Sequence, residues 1–185
     1  VYFHGLPGGP REVEAFGQAA DWFHPAHHAL NRQGVGEAAN LSQHFDELAS
    51  GLKTSFGSSR FRLVGFSLGA YVALEVASRL GRAVSHLSLV SASAPLSKGN
   101  FLPDMAGRMV FRAARYSPFL FAALTTAQPL IMQVAPEKLF DALFASAQCP
   151  DRHLAAQPLF RTKIIESLND CLRDGATGYR HEVSG

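Results

Sequence analysis

The pentapeptide Gly65-Phe66-Ser67-Leu68-Gly69 constrains this chain more than any other feature, because of what flanks it. Phe61 to Phe66 is an apolar run of strand length, and Leu68 to Leu80 carries apolar residues at helical spacing up to Gly81, a helix-ending residue. A G-x-S-x-G pattern arises easily by chance, but on a strand-to-helix junction it has a mechanical meaning. The serine must sit in a tight, strained turn that lifts its hydroxyl above the sheet. Side chains at Gly65 and Gly69 would collide with the neighbouring strand and helix. The same turn aims the first N–H groups of the helix at the hydroxyl, where they can stabilise developing negative charge. Ser67 is therefore the candidate nucleophile, and an unusual backbone conformation there, with positive φ, is expected.

The rhythm around the junction predicts a parallel sheet. Val1 to His4 reads as a strand ending at Gly5, Arg11 to Ala20 as a short helix, and Trp22 to Leu30 as a weaker strand because Pro25 disfavours the ladder. Asn31 to Gly36 is a loop. In Asn40 to Phe56, Leu41, Phe45, Leu48 and Leu52 fall on one helical face, and Gly57-Ser58-Ser59 ends the helix. His86 to Ser91 supplies the next strand. These units predict an α/β fold with four parallel strands in the spatial order second, first, third, fourth.

After Pro95 the texture changes. Residues 104–174 hold no period-2 segment, and apolar positions recur at helical spacing in four pieces separated by Pro118, Pro129, Pro136, Pro150 and Pro158. A helical module follows the sheet. The apolar stretch Pro118 to Ala135 is interrupted by Thr125, Thr126, Gln128, Pro129 and Gln133, so no membrane span is expected.

His4-Gly5-Leu6-Pro7-Gly8-Gly9 directly follows the first strand, where a sharp loop can present a backbone N–H near the nucleophile; taken alone it is a glycine-rich connection. With it, the chain resembles the α/β-hydrolase superfamily, especially cap-bearing serine hydrolases with an HGxPG loop. His4 to Gly8 corresponds to that oxyanion loop, Asn31 to Gly36 to the family's DRPGxG segment, with Asn31 and Gln33 replacing Asp and Pro, and Gly65 to Gly69 to the nucleophile elbow. The resemblance implies a partial α/β-hydrolase fold, a parallel sheet with helices on both faces plus a helical cap. It divides the chain into a core at 1–97, a cap at 98–178 and the start of a return to the core at 179–185. It also implies an oxyanion hole formed by the N–H groups of Leu6 and Leu68, supported by His4, Gly5, Gly8, Gly65 and Gly69, with His4 bracing backbone. The family's acid and histidine follow later strands, so both are expected to lie outside this chain.

Local substitutes for those partners are weak. Asp174 with His181 and Asp151 with His153 satisfy the order Ser, acid, His, but neither histidine follows a recognisable strand. His86 reads as a core or sheet-face residue. His24, His27 and His28 cluster without a carboxylate or cysteine pattern to complete a metal site, and Cys149 and Cys171 lack zinc spacing. Ser91 to Ala94 leaves no acid where some relatives carry one.

The expected activity is hydrolysis of a carboxylic ester or related acyl compound through an acyl-enzyme on Ser67, with no cofactor and a small-molecule substrate. An iminopeptidase-type peptidase, a thioesterase or a cofactorless perhydrolase would share these motifs. A catalytically silent protein of the same fold that binds a small molecule or partner is the alternative from another class. Phe101, Met105, Met109, Phe119, Phe121 and Met132 suit an apolar pocket, though packing among cap helices explains them equally. A formal charge of +2 with scattered Lys and Arg excludes a basic nucleic-acid face. The chain opens on Val1 within an apolar run, so an upstream segment is expected and a targeting signal is not legible. A cytoplasmic location is expected. Oligomeric state is not legible.

Overall fold

A computed structural model describes residues 1–22, 40–94, 98–105 and 107–173. Three strands, β1 (Tyr2–Phe3), β2 (Phe61–Phe66) and β3 (Val84–Val90), form a parallel sheet in the order β1-β2-β3. The expected second strand and the Asn31 to Gly36 loop fall outside the described residues. In register, Phe3 lies opposite Gly65 and Phe66 opposite Val90, so the chain leaves all three strands at one edge. Near the other end Ser85 is an extra residue, with Val84 facing Phe61 and His86 facing Arg62; its hydroxyl donates to Phe61 O at 3.0 Å.

Alternation along the strands separates two faces. On β1, Phe3 points into a core with Phe45, Leu48 and Leu52 of α1 (Leu41–Phe56) and Val72, Ala73 and Val76 of α2 (Leu68–Leu80). Tyr2 makes its polar contact with a 3-10 helix, Pro10–Trp22, where its hydroxyl bonds Glu12 and its ring meets Phe16 edge-on. The sequence predicts a short helix over Arg11 to Ala20, and the structure has one, wound in the tighter 3-10 form from Pro10, with Glu12 N–H bonded to Gly9 O and the Glu12 carboxylate turned back onto Gly5.

The helix ends follow their local chemistry. Asn40 caps α1, accepting from Gln43 N at 3.0 Å, and Gly57 ends it with φ 58°. Arg79 ties α2 to α1, donating to Asp46 at 2.6 Å and to Glu75 at 2.9 Å while lying over the Phe45 ring; these partners raise its pKa.

The helical module consists of α3 (Arg108–Tyr116), α4 (Pro118–Val134), α5 (Pro136–Leu143), α6 (Cys149–Ala155) and α7 (Pro158–Leu172). Pro118, Pro136, Pro150 and Pro158 all occupy a first-turn position, where a missing N–H costs nothing. Pro129 does not divide the module as the sequence suggests, because α4 runs through it. Buried Thr125 and Met132 anchor α4 on either side, and that packing outweighs the lost ladder bond. Met132, Phe140, Phe160, Ile164 and Leu168 form a second core with Ala15 of the 3-10 helix. No described helix is long and apolar enough to cross a membrane.

α7 is fastened to the loop after β1. Ser167 Oγ, 1% exposed, accepts from Gly9 N at 2.7 Å and donates to Gly9 O at 3.3 Å. Arg11 adds an ion pair to Asp170 at 3.2 Å. The helical module thereby holds the loop that leaves the carboxyl end of β1.

Candidate active site

Three segments meet at the carboxyl edge: the loop after β1, the turn at Ser67, and Ser91 to Ala94 after β3. Ser67 bridges two of them, donating its N–H to Val90 O at 2.9 Å and accepting from Ser93 N at 3.1 Å. Its backbone has φ 54° and ψ −122°, matching the positive φ expected from the motif. Among the described residues, the non-glycine residues with positive φ are Ser67 and Ser91, both at this edge. Such conformations cost on the order of 1–3 kcal/mol each and persist only where surroundings impose them.

The surroundings are visible at the two flanking glycines. A Cβ on Gly65 would stand 2.5 Å from both Ala70 Cα and Gly69 O, and one on Gly69 only 2.3 Å from Phe3 O and His4 O. All these obstacles are backbone. The start of α2 is thus pressed against the ends of β1 and β2, and no side chain fits between them.

Ser67 occupies the N-cap of α2, where serine normally accepts from the helix's own N–H groups. It makes no such bond. Ser117, at the N-cap of α4, does accept from Leu120 N at 3.3 Å. The non-helical turn carries the Ser67 hydroxyl away from the helix axis, leaving the N-terminal N–H groups of α2 uncapped by that side chain. Among the described residues, its hydrogen-bond partner is Ser93 Oγ at 3.4 Å, beyond the usual range for a hydroxyl pair. Serine is no base at neutral pH, so Ser93 does not activate it.

The loop after β1 is held by buried polar groups. His4 is fully buried, and since Gly5 O can only accept, His4 Nδ1 donates to it at 2.9 Å. Glu12, 5% exposed, accepts from Gly5 N at 2.6 Å and from Tyr2 Oη at 2.8 Å through the same oxygen, Oε2. Its other oxygen lies 3.1 and 3.2 Å from where a Cβ would stand on Gly5 and Gly8. The sequence motif marks both glycines but not Glu12. A glutamate in a first helical turn ordinarily reads as a favourable dipole charge, so nothing in the sequence marked it.

Among the described residues, no candidate acid or histidine is hydrogen-bonded to Ser67. Asp151 and His153 are exposed on α6, and Asp174, His181, His24, His27 and His28 lie outside the described residues. His86 lies in β3 as expected, but exposed. No group of metal-ligating side chains occurs among the described residues. A groove of about 940 Å³ is lined by Leu102, Arg108, Met109, Arg112, Tyr116 and Leu120 among others, and its walls include neither Ser67, Leu6 nor Leu68. Of the apolar residues considered for a pocket, Met132 is buried in the helical core, whereas Phe101, Met109 and Phe119 are exposed.

In comparison with known families, residues 18–109 match the model of the Thioesterase domain, which belongs to the α/β-hydrolase superfamily. The matched span contains Ser67 and Leu68 and begins after the loop that carries Leu6. No curated protein and no solved structure matches the chain.

Proposed function

We propose that this chain supplies the nucleophile and the oxyanion-binding groups of a serine hydrolase that cleaves acyl thioesters or related esters. The observation that carries the reading is Ser67 itself, a strained N-cap serine that does not cap its helix, at the carboxyl edge of the sheet where α2 begins. The Thioesterase match supports the choice of an acyl substrate.

In this mechanism Ser67 Oγ attacks the acyl carbon while a base removes its proton, and the carbonyl electron pair moves onto oxygen. The N–H groups of Leu6 and Leu68 receive that oxyanion. The tetrahedral intermediate collapses by breaking the bond to the thiolate or alkoxide, which leaves protonated, and water then releases the acid from the acyl-serine. A thiolate is the weaker base and leaves more readily, so a thioester demands less of a general acid. His4 braces the Gly5–Leu6 peptide through its carbonyl and moves no proton. No cofactor is required. We assign the base and its orienting acid to polypeptide outside this chain on the resemblance to the hydrolase superfamily, in which both follow later strands; among the described residues, no histidine or carboxylate is bonded to Ser67.

The test compares this chain with a longer polypeptide containing it, using an aryl thioester and a fluorophosphonate probe. The longer protein should label at Ser67, lose labelling in Ser67→Ala, and turn over the thioester, while this chain alone shows only residual turnover. A longer protein unreactive toward the probe would identify a catalytically silent binder. Strong Ser67-dependent turnover by this chain would instead implicate a local pair such as Asp174 and His181.

A further inference from the structure

Burying a carboxylate is expensive, and glutamate is almost never found inside unless its charge is answered by donors. Glu12 is buried over the loop that follows β1 and meets two donors there, the Gly5 amide at 2.6 Å and the Tyr2 hydroxyl at 2.8 Å. Packing alone would be served better by an apolar residue.

What the carboxylate adds is control of Gly5. Glycine has the widest conformational freedom of any residue, and Gly5 immediately precedes the Leu6 N–H. Two rigid peptide units meet at its Cα. Glu12 fixes the first through the Gly5 N–H, and His4 fixes the second through Gly5 O. Because the second unit is planar, holding its carbonyl also sets the direction of the Leu6 N–H. Either bond alone leaves rotation about one side of Gly5.

We infer that Glu12 is a positioning residue, which together with His4 pre-aims the Leu6 N–H at the oxyanion. This rests on the proposed oxyanion role of Leu6. An N–H aimed in advance needs no reorientation as charge develops, and misplacement by about 1 Å can cost roughly 100-fold in rate.

The test uses Glu12→Ala, Glu12→Gln, Glu12→Met and Tyr2→Phe. In nitrogen-15 NMR spectra of this chain, Glu12→Ala should broaden or split the Leu6 amide resonance while those of α1 stay in place. Tyr2→Phe, which leaves the Gly5 bond, should not disturb Leu6. In the longer, active polypeptide, Glu12→Ala should lower kcat roughly 100-fold with KM changed less than about twofold, and Glu12→Gln, which keeps one acceptor oxygen, should recover part of the loss. A sharp, unshifted Leu6 resonance in folded Glu12→Ala overturns the inference. If Glu12→Ala does not fold, Glu12→Met, which fills a similar volume without an acceptor oxygen, carries the test: an unshifted Leu6 resonance and wild-type kcat would overturn it. Should Ser67→Ala retain full turnover, the serine-hydrolase reading fails, and the Leu6 resonance still decides whether Glu12 sets that amide.

Discussion

The same substitution, glycine to alanine, should have opposite effects at two helical positions in this chain. At Gly69 a new Cβ would stand 2.3 Å from Phe3 O and His4 O, against an ordinary contact distance of 3.4 Å or more, a shortfall of about 1.1 Å. Neither obstacle can rotate away, since both are carbonyl oxygens at the end of β1. α2 would have to back off, and its buried residues Val72, Ala73 and Val76, exposed by 3%, 0% and 0%, would lose contact with the sheet. Overpacking costs typically 1–3 kcal/mol, and backbone against backbone belongs at the top of that range, so Gly69→Ala should destabilise by about 3 kcal/mol. At Gly51, within α1, an added Cβ meets nothing within 4 Å, and the gain in helix propensity should stabilise by roughly 0.5–1 kcal/mol. Urea denaturation followed by circular dichroism measures both. With m near ~1.5 kcal/mol/M, the midpoint should fall by about 2 M for Gly69→Ala and rise by about 0.5 M for Gly51→Ala. A midpoint for Gly69→Ala within about 0.5 M of wild type would refute the close approach of α2 to β1, and with it the account of the elbow.

Three further outcomes follow from the same geometry. Ser67→Gly should be more stable than Ser67→Ala by about 1 kcal/mol in thermal or urea unfolding, because glycine accepts φ 54° without strain. Asn40→Ala should cost about 1 kcal/mol by the same assays, whereas Ser67→Ala should lose no capping energy, since its side chain caps nothing. Ser167→Ala should cost about 1–3 kcal/mol by leaving the buried Gly9 N–H without its acceptor, and hydrogen exchange at Gly9 should quicken; unchanged exchange would show that α7 does not fasten the loop.

Much of the sheet was legible because its signals are local. Phe61–Phe66 and Leu68–Leu80 have the ends that apolar runs and glycine punctuation predict, and the tension between a strand, a serine and a helix in immediate succession predicted the positive φ. The helical pattern from Asn40 to Phe56 was legible for the same reason, and the structure adds that Asn40 caps α1. Two features escaped because tertiary packing decides them. Pro129 breaks a helix by itself, but α4 continues through it with Thr125 and Met132 buried. Pro10–Trp22 winds as a 3-10 helix, and Glu12 within it turns back onto Gly5.

The sequence by itself determined the strand–helix alternation that predicts a parallel sheet, the strand–serine–helix junction and the identity of the candidate nucleophile, since each is read from residues adjacent in the chain. Only the tertiary structure decided what holds the loop opposite Ser67. Glu12 reaches back seven residues to Gly5, and Ser167 reaches across 158 residues to Gly9. The strength of a buried hydrogen bond depends on the distance and desolvation of partners that the fold brings together, and spacing along the chain encodes neither.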